Sequence, residues 1–194
     1  MKNTSKSRNN PPIKLMPGDI FARRARGPVK WLLKLSLYPP VDEDHFGILW
    51  MKVGDDFIIL ESIASKGLAV WKLSEDKHRH LNFYRVNCPY NLRRKAPYSL
   101  ITSGRAEYDW LLVARLALDA FRAFWRMVFI ERRLRRLRPS DFHYSKNKYL
   151  ICTEAVVDAY RSVGVDIIPP GTAPVPNALK EAVRKGIMRR IGQW

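Results

Sequence analysis

The stretch His45-Phe-Gly-Ile-Leu-Trp-Met51-Lys-Val-Gly-Asp-Asp56-Phe-Ile-Ile-Leu-Glu-Ser62 consists of two apolar runs around a polar break. Lys52-Val-Gly-Asp-Asp56 has the composition of a turn, so His45–Met51 and Phe57–Ser62 are predicted to be the two arms of a β-hairpin. Folding about Gly54 brings His45 to the region of Glu61, an acid at the end of an otherwise apolar strand and within cross-strand reach of the imidazole. A carboxylate placed there fixes the histidine tautomer and stabilises imidazolium. Alone, each residue reads as a solvated strand-end side chain. Outward from the hairpin, Gly67-Leu-Ala-Val-Trp-Lys-Leu73 and Leu81-Asn-Phe-Tyr-Arg-Val86 continue an antiparallel meander. On the N-terminal side, Trp31-Leu-Leu-Lys-Leu-Ser-Leu37 is short and interrupted by Lys34, which predicts a helix leading into the histidine strand.

Beyond the meander the pattern turns helical. In Tyr149-Leu-Ile-Cys-Thr-Glu-Ala155-Val-Val-Asp-Ala-Tyr160, Cys152, Val156, Ala159 and Val163 fall on one helical face, and Gly164 supplies a stop. A thiol at a helix start is favoured as thiolate by the first-turn N–H groups and becomes a nucleophile if a base adjoins it. Free cysteine is also a common buried small residue. The expected class is therefore α+β, an antiparallel sheet packed on helices, with His45 and Glu61 on the sheet and Cys152 on a helix.

The order His, Glu, Cys and its surroundings resemble the circularly permuted branch of the NlpC-type papain-like cysteine hydrolases, the YiiX-like proteins related to lecithin:retinol acyltransferase. The resemblance runs through Pro17-Gly-Asp-Ile20, Asp44-His45-Phe-Gly-Ile48, Leu60-Glu61-Ser62, Glu107-Tyr108-Asp109-Trp110 and Cys152-Thr-Glu-Ala-Val156. It closes with Val165-Asp-Ile-Ile-Pro169-Pro and Pro176-Asn-Ala-Leu179. It implies a permuted papain-like fold with Cys152 as nucleophile, His45 as general base and acid, and Glu61 as the orienting residue. Thr153 where the family carries serine, Asp44 before the histidine, and a long basic insertion are departures that bear on substrate.

A chain of 194 residues is long enough for one domain with its own core. We expect residues 1–14 to be a flexible basic tail and 15–194 a single domain, with a basic amphipathic helical insertion at about 110–138. An apolar content of 46% favours a globular protein over disorder. Cys88 and Cys152 are the two cysteines, which gives no disulfide framework and suits a reducing compartment. Neither Cys-x-x-Cys nor His-Glu-x-x-His occurs, and His78-Arg-His80 offers only an alternating pair in a charged loop, so no metal or cofactor is expected. The N-terminus lacks the apolar run of a secretory signal, which predicts a cytoplasmic protein, membrane-associated if its basic helix reaches a bilayer.

That helix spans Trp110 to Ile130, with Arg115, Asp119, Arg122 and Arg126 on one stripe and an otherwise apolar circumference. The spacing predicts pairing of Asp119 with Arg115 and Arg122. Four charges at roughly 2.5 to 3.5 kcal/mol each argue against a membrane span. A core helix and a helix lying against a membrane or a partner both fit. The run Glu131-Arg-Arg-Leu-Arg-Arg-Leu-Arg138 follows, within a chain of 35 Lys and Arg against 18 Asp and Glu, a formal net charge of +17. Arg132, Arg133, Arg135, Arg136 and Arg138 are thus expected to contact an anionic membrane surface or wall polymer. Nucleic acid ranks below these because no zinc-finger or RNP-like motif appears. The expected activity is hydrolysis of a peptide, amide or acyl substrate, cell-wall peptide included. The alternatives are a lipid-directed acyltransferase or esterase of the same chemistry and a non-catalytic basic binding protein.

Overall fold

The computed structural model describes residues 13–63, 66–76, 80–102, 107–132, 134–144 and 151–193. Its sheet takes β1 (Ile20–Arg24), β2 (Glu43–Val53), β3 (Asp56–Ile63), β4 (Gly67–Lys72), β5 (Leu81–Val86) and β6 (Met188–Gln193), in the order β4-β3-β2-β1-β5-β6, every neighbouring pair antiparallel. Helices α1 (Gly27–Ser36), α2 (Tyr90–Thr102), α3 (Trp110–Phe129), α4 (Cys152–Arg161) and α5 (Pro176–Arg184) complete an α+β architecture.

The two-residue period of the strands divides the core. Ile20, Ala22, Phe46, Ile48, Leu60 and Tyr84 pack with Ala155, Val156, Ala159 and Tyr160 of α4 and with Ala178 and Leu179 of α5. Phe21, Leu49, Phe57, Ile59, Leu81 and Phe83, of the opposite parity, form a second cluster with Leu73. Gly47 lies between Phe21 and Glu61 in the ladder. A Cβ there would stand 2.4 Å from the Phe21 ring and 2.8 Å from the Leu60 carbonyl oxygen. We expect Gly47→Ala to cost about 1–3 kcal/mol by overpacking, measured by denaturant unfolding.

The hairpin forms about Gly54, at φ +60°, but its register is not that of a regular ladder. Val53 pairs with Asp56, and an uninterrupted register would set Ile48 opposite Glu61 and His45 on the other face. A bulge between Leu49 and Met51 advances β2 by one residue, so that Gly47 opposes Glu61. One extra residue exchanges the faces of everything beyond it. His45, two residues from Gly47, thereby joins Glu61. A second bulge lies between Arg23 and Arg24, beside His45. Just before it, buried Glu43 accepts from Asn82 Nδ2 (2.6 Å), Tyr84 Oη (2.5 Å) and Lys180 Nζ (2.8 Å), which ties the start of β2 to α5.

The structure departs from the sequence expectations at several points. Residues 1–12 of the expected tail, His78 and Arg133 lie outside the described residues. Ile13 lies against Gly192, and the Lys14 carbonyl accepts from Arg85 at 2.7 Å, so these two residues belong to the packed chain. β6 was not anticipated, because an edge strand reading Met-Arg-Arg-Ile-Gly-Gln has little apolar alternation. Asp119 does not pair with Arg115 or Arg122. It is buried and accepts from the His143 backbone N–H at 2.8 Å, with His143 Nδ1 at 3.5 Å. The basic run is not a helical continuation of α3, which ends at Phe129. Beyond it Arg132 has φ 47°, and Leu137 bridges to Leu37. Among the described residues no helix is long and apolar enough to cross a membrane.

Candidate active site

Cys152 is the first residue of α4, preceded by Ile151 in extended conformation. The helix closes on Gly164 at φ +80°, with Gly164 N–H bonded to the Arg161 carbonyl (3.0 Å) and Val165 N–H to that of Tyr160 (3.0 Å). This is the paired pattern that glycine permits after a helix end. At the other end Glu154 accepts from Ile151 N–H (3.4 Å) and Tyr144 Oη (2.7 Å), and the Thr153 hydroxyl bonds the Pro174 carbonyl. These contacts fix the first turn on which the thiol sits.

The thiol of Cys152 is within hydrogen-bonding reach of the His45 imidazole, which in turn bonds Glu61 Oε2 through Nε2. With Nε2 engaged by Glu61, Nδ1 is the ring nitrogen left for the sulfur. Burial alone would depress the imidazolium, but Cys152 and Glu61 outweigh it and push the His45 pKa up to about 9. Burial likewise raises the Glu61 carboxyl, yet hydrogen bonds from His45 and Arg23 bring it below its ordinary value. The three residues read from the sequence are therefore brought together.

Arg23 was not foreseen. It lies opposite His45 in the β1–β2 ladder and grips Glu61 with two bonds, Nη1 to Oε2 (2.5 Å) and Nη2 to Oε1 (2.8 Å). Its Nε donates to Asp76 at 2.8 Å. Both carboxylates are fully buried, and the bidentate fork suits guanidinium geometry. The only sequence signal is an arginine that ends an apolar strand. Tyr108 stands close enough to Cys152 for a thiolate to act on it. Burial, that charge and Asp109 push its hydroxyl up to about 12, so it remains a donor at neutral pH. Asp109 holds it there by capping α3, its Oδ1 accepting Leu112 N–H at 2.7 Å.

Cys88 lacks this environment. Burial raises its thiol, and Arg93 offsets this only in part. His80 is exposed, and its backbone carbonyl accepts from Arg24 N–H. Among the described residues no three His, Cys, Asp or Glu side chains gather as cation ligands.

The shifts set a pH dependence for stability. His45 is raised from 6.5, so its contribution is complete below about 6.5 and is lost as pH rises through about 9. Glu61 is lowered from 4.5, so its contribution is present above that pH and is lost as pH falls through its depressed pKa. We expect the difference in Tm between the parent and His45→Gln to be largest near pH 6 and to shrink towards pH 10, as read by calorimetry.

No family model matches the chain, and no curated protein does. A solved structure to which it is similar is that of the metalloprotein YiiX from Escherichia coli O157:H7, with 17% identity, a TM-score of 0.42, and coverage of 90% of this chain and 88% of that one.

Proposed function

We propose that this protein is a cysteine hydrolase of the permuted papain-like, NlpC type, cleaving an amide or other acyl bond through Cys152, His45 and Glu61. The observation that carries the reading is the chain thiol, imidazole, carboxylate, with the thiol at a helix N-terminus and the imidazole pKa pushed up to about 9. The thiolate attacks the carbonyl carbon, and the C=O electron pair moves to oxygen. In this reading the first-turn amides of α4 meet that oxyanion, with the Tyr108 hydroxyl as a further donor. Collapse expels the amine or alkoxide with a proton from His45 and leaves a thioester. Water then attacks as His45 takes its proton, and the carboxylic acid departs. Glu61, gripped by Arg23, orients the ring throughout and remains ionised.

A lipid-directed acyltransferase or esterase uses the same steps with a lipid as donor or acceptor. The aromatic surface of α3 described below favours it as the second reading. The test is to trap the acyl-enzyme. The parent, Cys152→Ala and Cys88→Ala are incubated with activated esters, peptide amides and phospholipids, quenched in acid and mapped by mass spectrometry. An acyl adduct on Cys152, absent from Cys152→Ala and retained in Cys88→Ala, is expected. Equal labelling of both cysteines, or labelling of neither, removes the hydrolase reading and leaves a basic binding protein.

A further inference from the structure

We propose that the outer face of α3 docks on an anionic lipid bilayer, its aromatic rings entering the interface and Arg115 and Arg122 meeting the phosphates. The helix buries a single stripe, Leu112, Asp119, Ala123 and Met127. At about 100° per residue, Trp110, Leu118, Phe121 and Trp125 lie roughly opposite that stripe, with Phe124 and Phe129 on its two flanks. They are exposed: Trp110 by 61%, Phe121 by 58% and Phe129 by 66%. An apolar patch of this size on a helix marks a surface that contacts something.

Charge identifies the partner. Arg115 and Arg122 flank the apolar face and, with Asp119 turned inward, have no acid partner among the described residues. Arg135, by contrast, is held by Asp141 in two bonds of 2.7 Å, and Arg126 by Glu131 at 3.0 Å. An apolar face edged by free arginines, in a chain of net charge +17, fits a surface with anionic headgroups above hydrocarbon. A single-stranded nucleic acid needs separated rings for its bases, whereas Trp125 and Phe129 stack on each other at 4.8 Å and 9°. Phe124 also lines an apolar cavity of about 580 Å³ with Leu37, Leu116, Ala120, Met127 and Leu137, room suited to hydrocarbon. Where α3 begins, Trp110 packs on Tyr108 at 5.2 Å. If the hydrolase reading holds, docking therefore brings the Cys152 site to the bilayer surface.

The test is flotation of the full chain with vesicles of phosphatidylcholine alone and with added phosphatidylglycerol. It uses the parent, Phe121→Ser with Trp125→Ser, Arg115→Gln with Arg122→Gln, and Cys152→Ala. Binding to the anionic vesicles is expected. The aromatic variant weakens it at least about tenfold, the arginine variant about 30-fold, and Cys152→Ala leaves it unchanged. Because the exchanged side chains are exposed, circular dichroism and Tm stay at parental values. Binding lost only in the arginine variant would reduce the contact to charge adsorption and overturn docking by insertion. No vesicle binding overturns the proposal as well. In that case a concentration-dependent dimer abolished by the aromatic variant assigns the face to a second copy, and lost polynucleotide binding assigns it to nucleic acid. Failure of acyl-enzyme trapping together with intact vesicle binding would reject the hydrolase and keep the docking surface.

Discussion

At neutral pH, Cys152 is expected to react with iodoacetamide at least about ten times faster than Cys88, and to lose that advantage in His45→Ala. The two thiols share a chain but not an electrostatic setting. Cys152, at a helix N-terminus, faces an imidazole whose pKa is pushed up to about 9, while burial raises that of the Cys88 thiol. The rate profile of Cys152 should carry a step at about pH 9, where His45 gives up its proton. That step should be absent from His45→Ala. With a turned-over substrate, His45→Ala should lower the rate by about 10²–10⁴-fold. Cys152→Ala should abolish turnover with little change in Tm, since little volume is removed. Peptide-resolved mass spectrometry over a pH series measures the alkylation. Identical profiles for the two cysteines would dissolve the proposed site.

The largest effect on stability is expected from Arg23→Ala. Glu61 and Asp76 are both fully buried, and Arg23 bonds both. Removing the cation leaves two desolvated carboxylates short of their partner, a loss of roughly 3–5 kcal/mol. In a chain of this length that corresponds to a fall in Tm of roughly 6–20 °C. The deficit should shrink as pH falls through the depressed Glu61 pKa, because the stabilising form of that carboxyl is the ionised one. Arg23→Lys keeps the charge without the bidentate fork and should fall between. Were Arg23 only a surface strand residue, calorimetry would find Arg23→Ala within about 0.5 kcal/mol of the parent. As a positioning residue for Glu61, it should also move the step in the Cys152 profile to lower pH in Arg23→Lys.

Periodicity and punctuation were legible. The apolar runs of the meander, the turn at Gly54 and the helical spacing after Cys152 are local signals, and β2 to β5 and α4 formed where they stand. The Asp119 pairs failed for a physical reason. Spacing places arginines within reach on the same helix, but a buried carboxylate is better satisfied by a nearby backbone N–H, here that of His143, than by side chains that keep their charge in water. Likewise the basic run read as a helix extension, whereas the bridge of Leu37 to Leu137 gives its backbone a partner elsewhere in the chain.

The amino-acid sequence by itself determined which residues have the chemistry: a thiol at a helix start, a histidine and a glutamate on facing arms of a hairpin, and an apolar helix striped with arginine. Tertiary structure alone decided that they meet. Without the bulge between Leu49 and Met51, period-two alternation would place His45 and Glu61 on opposite faces of the sheet. Without the packing of α4 on that sheet, the sulfur would have no imidazole beside it. The same packing sets the charges, since burial magnifies what Arg23, Glu61 and Cys152 do to one another. Composition fixes the groups that are present, but their pKa values depend on distance and desolvation, which only the folded chain defines.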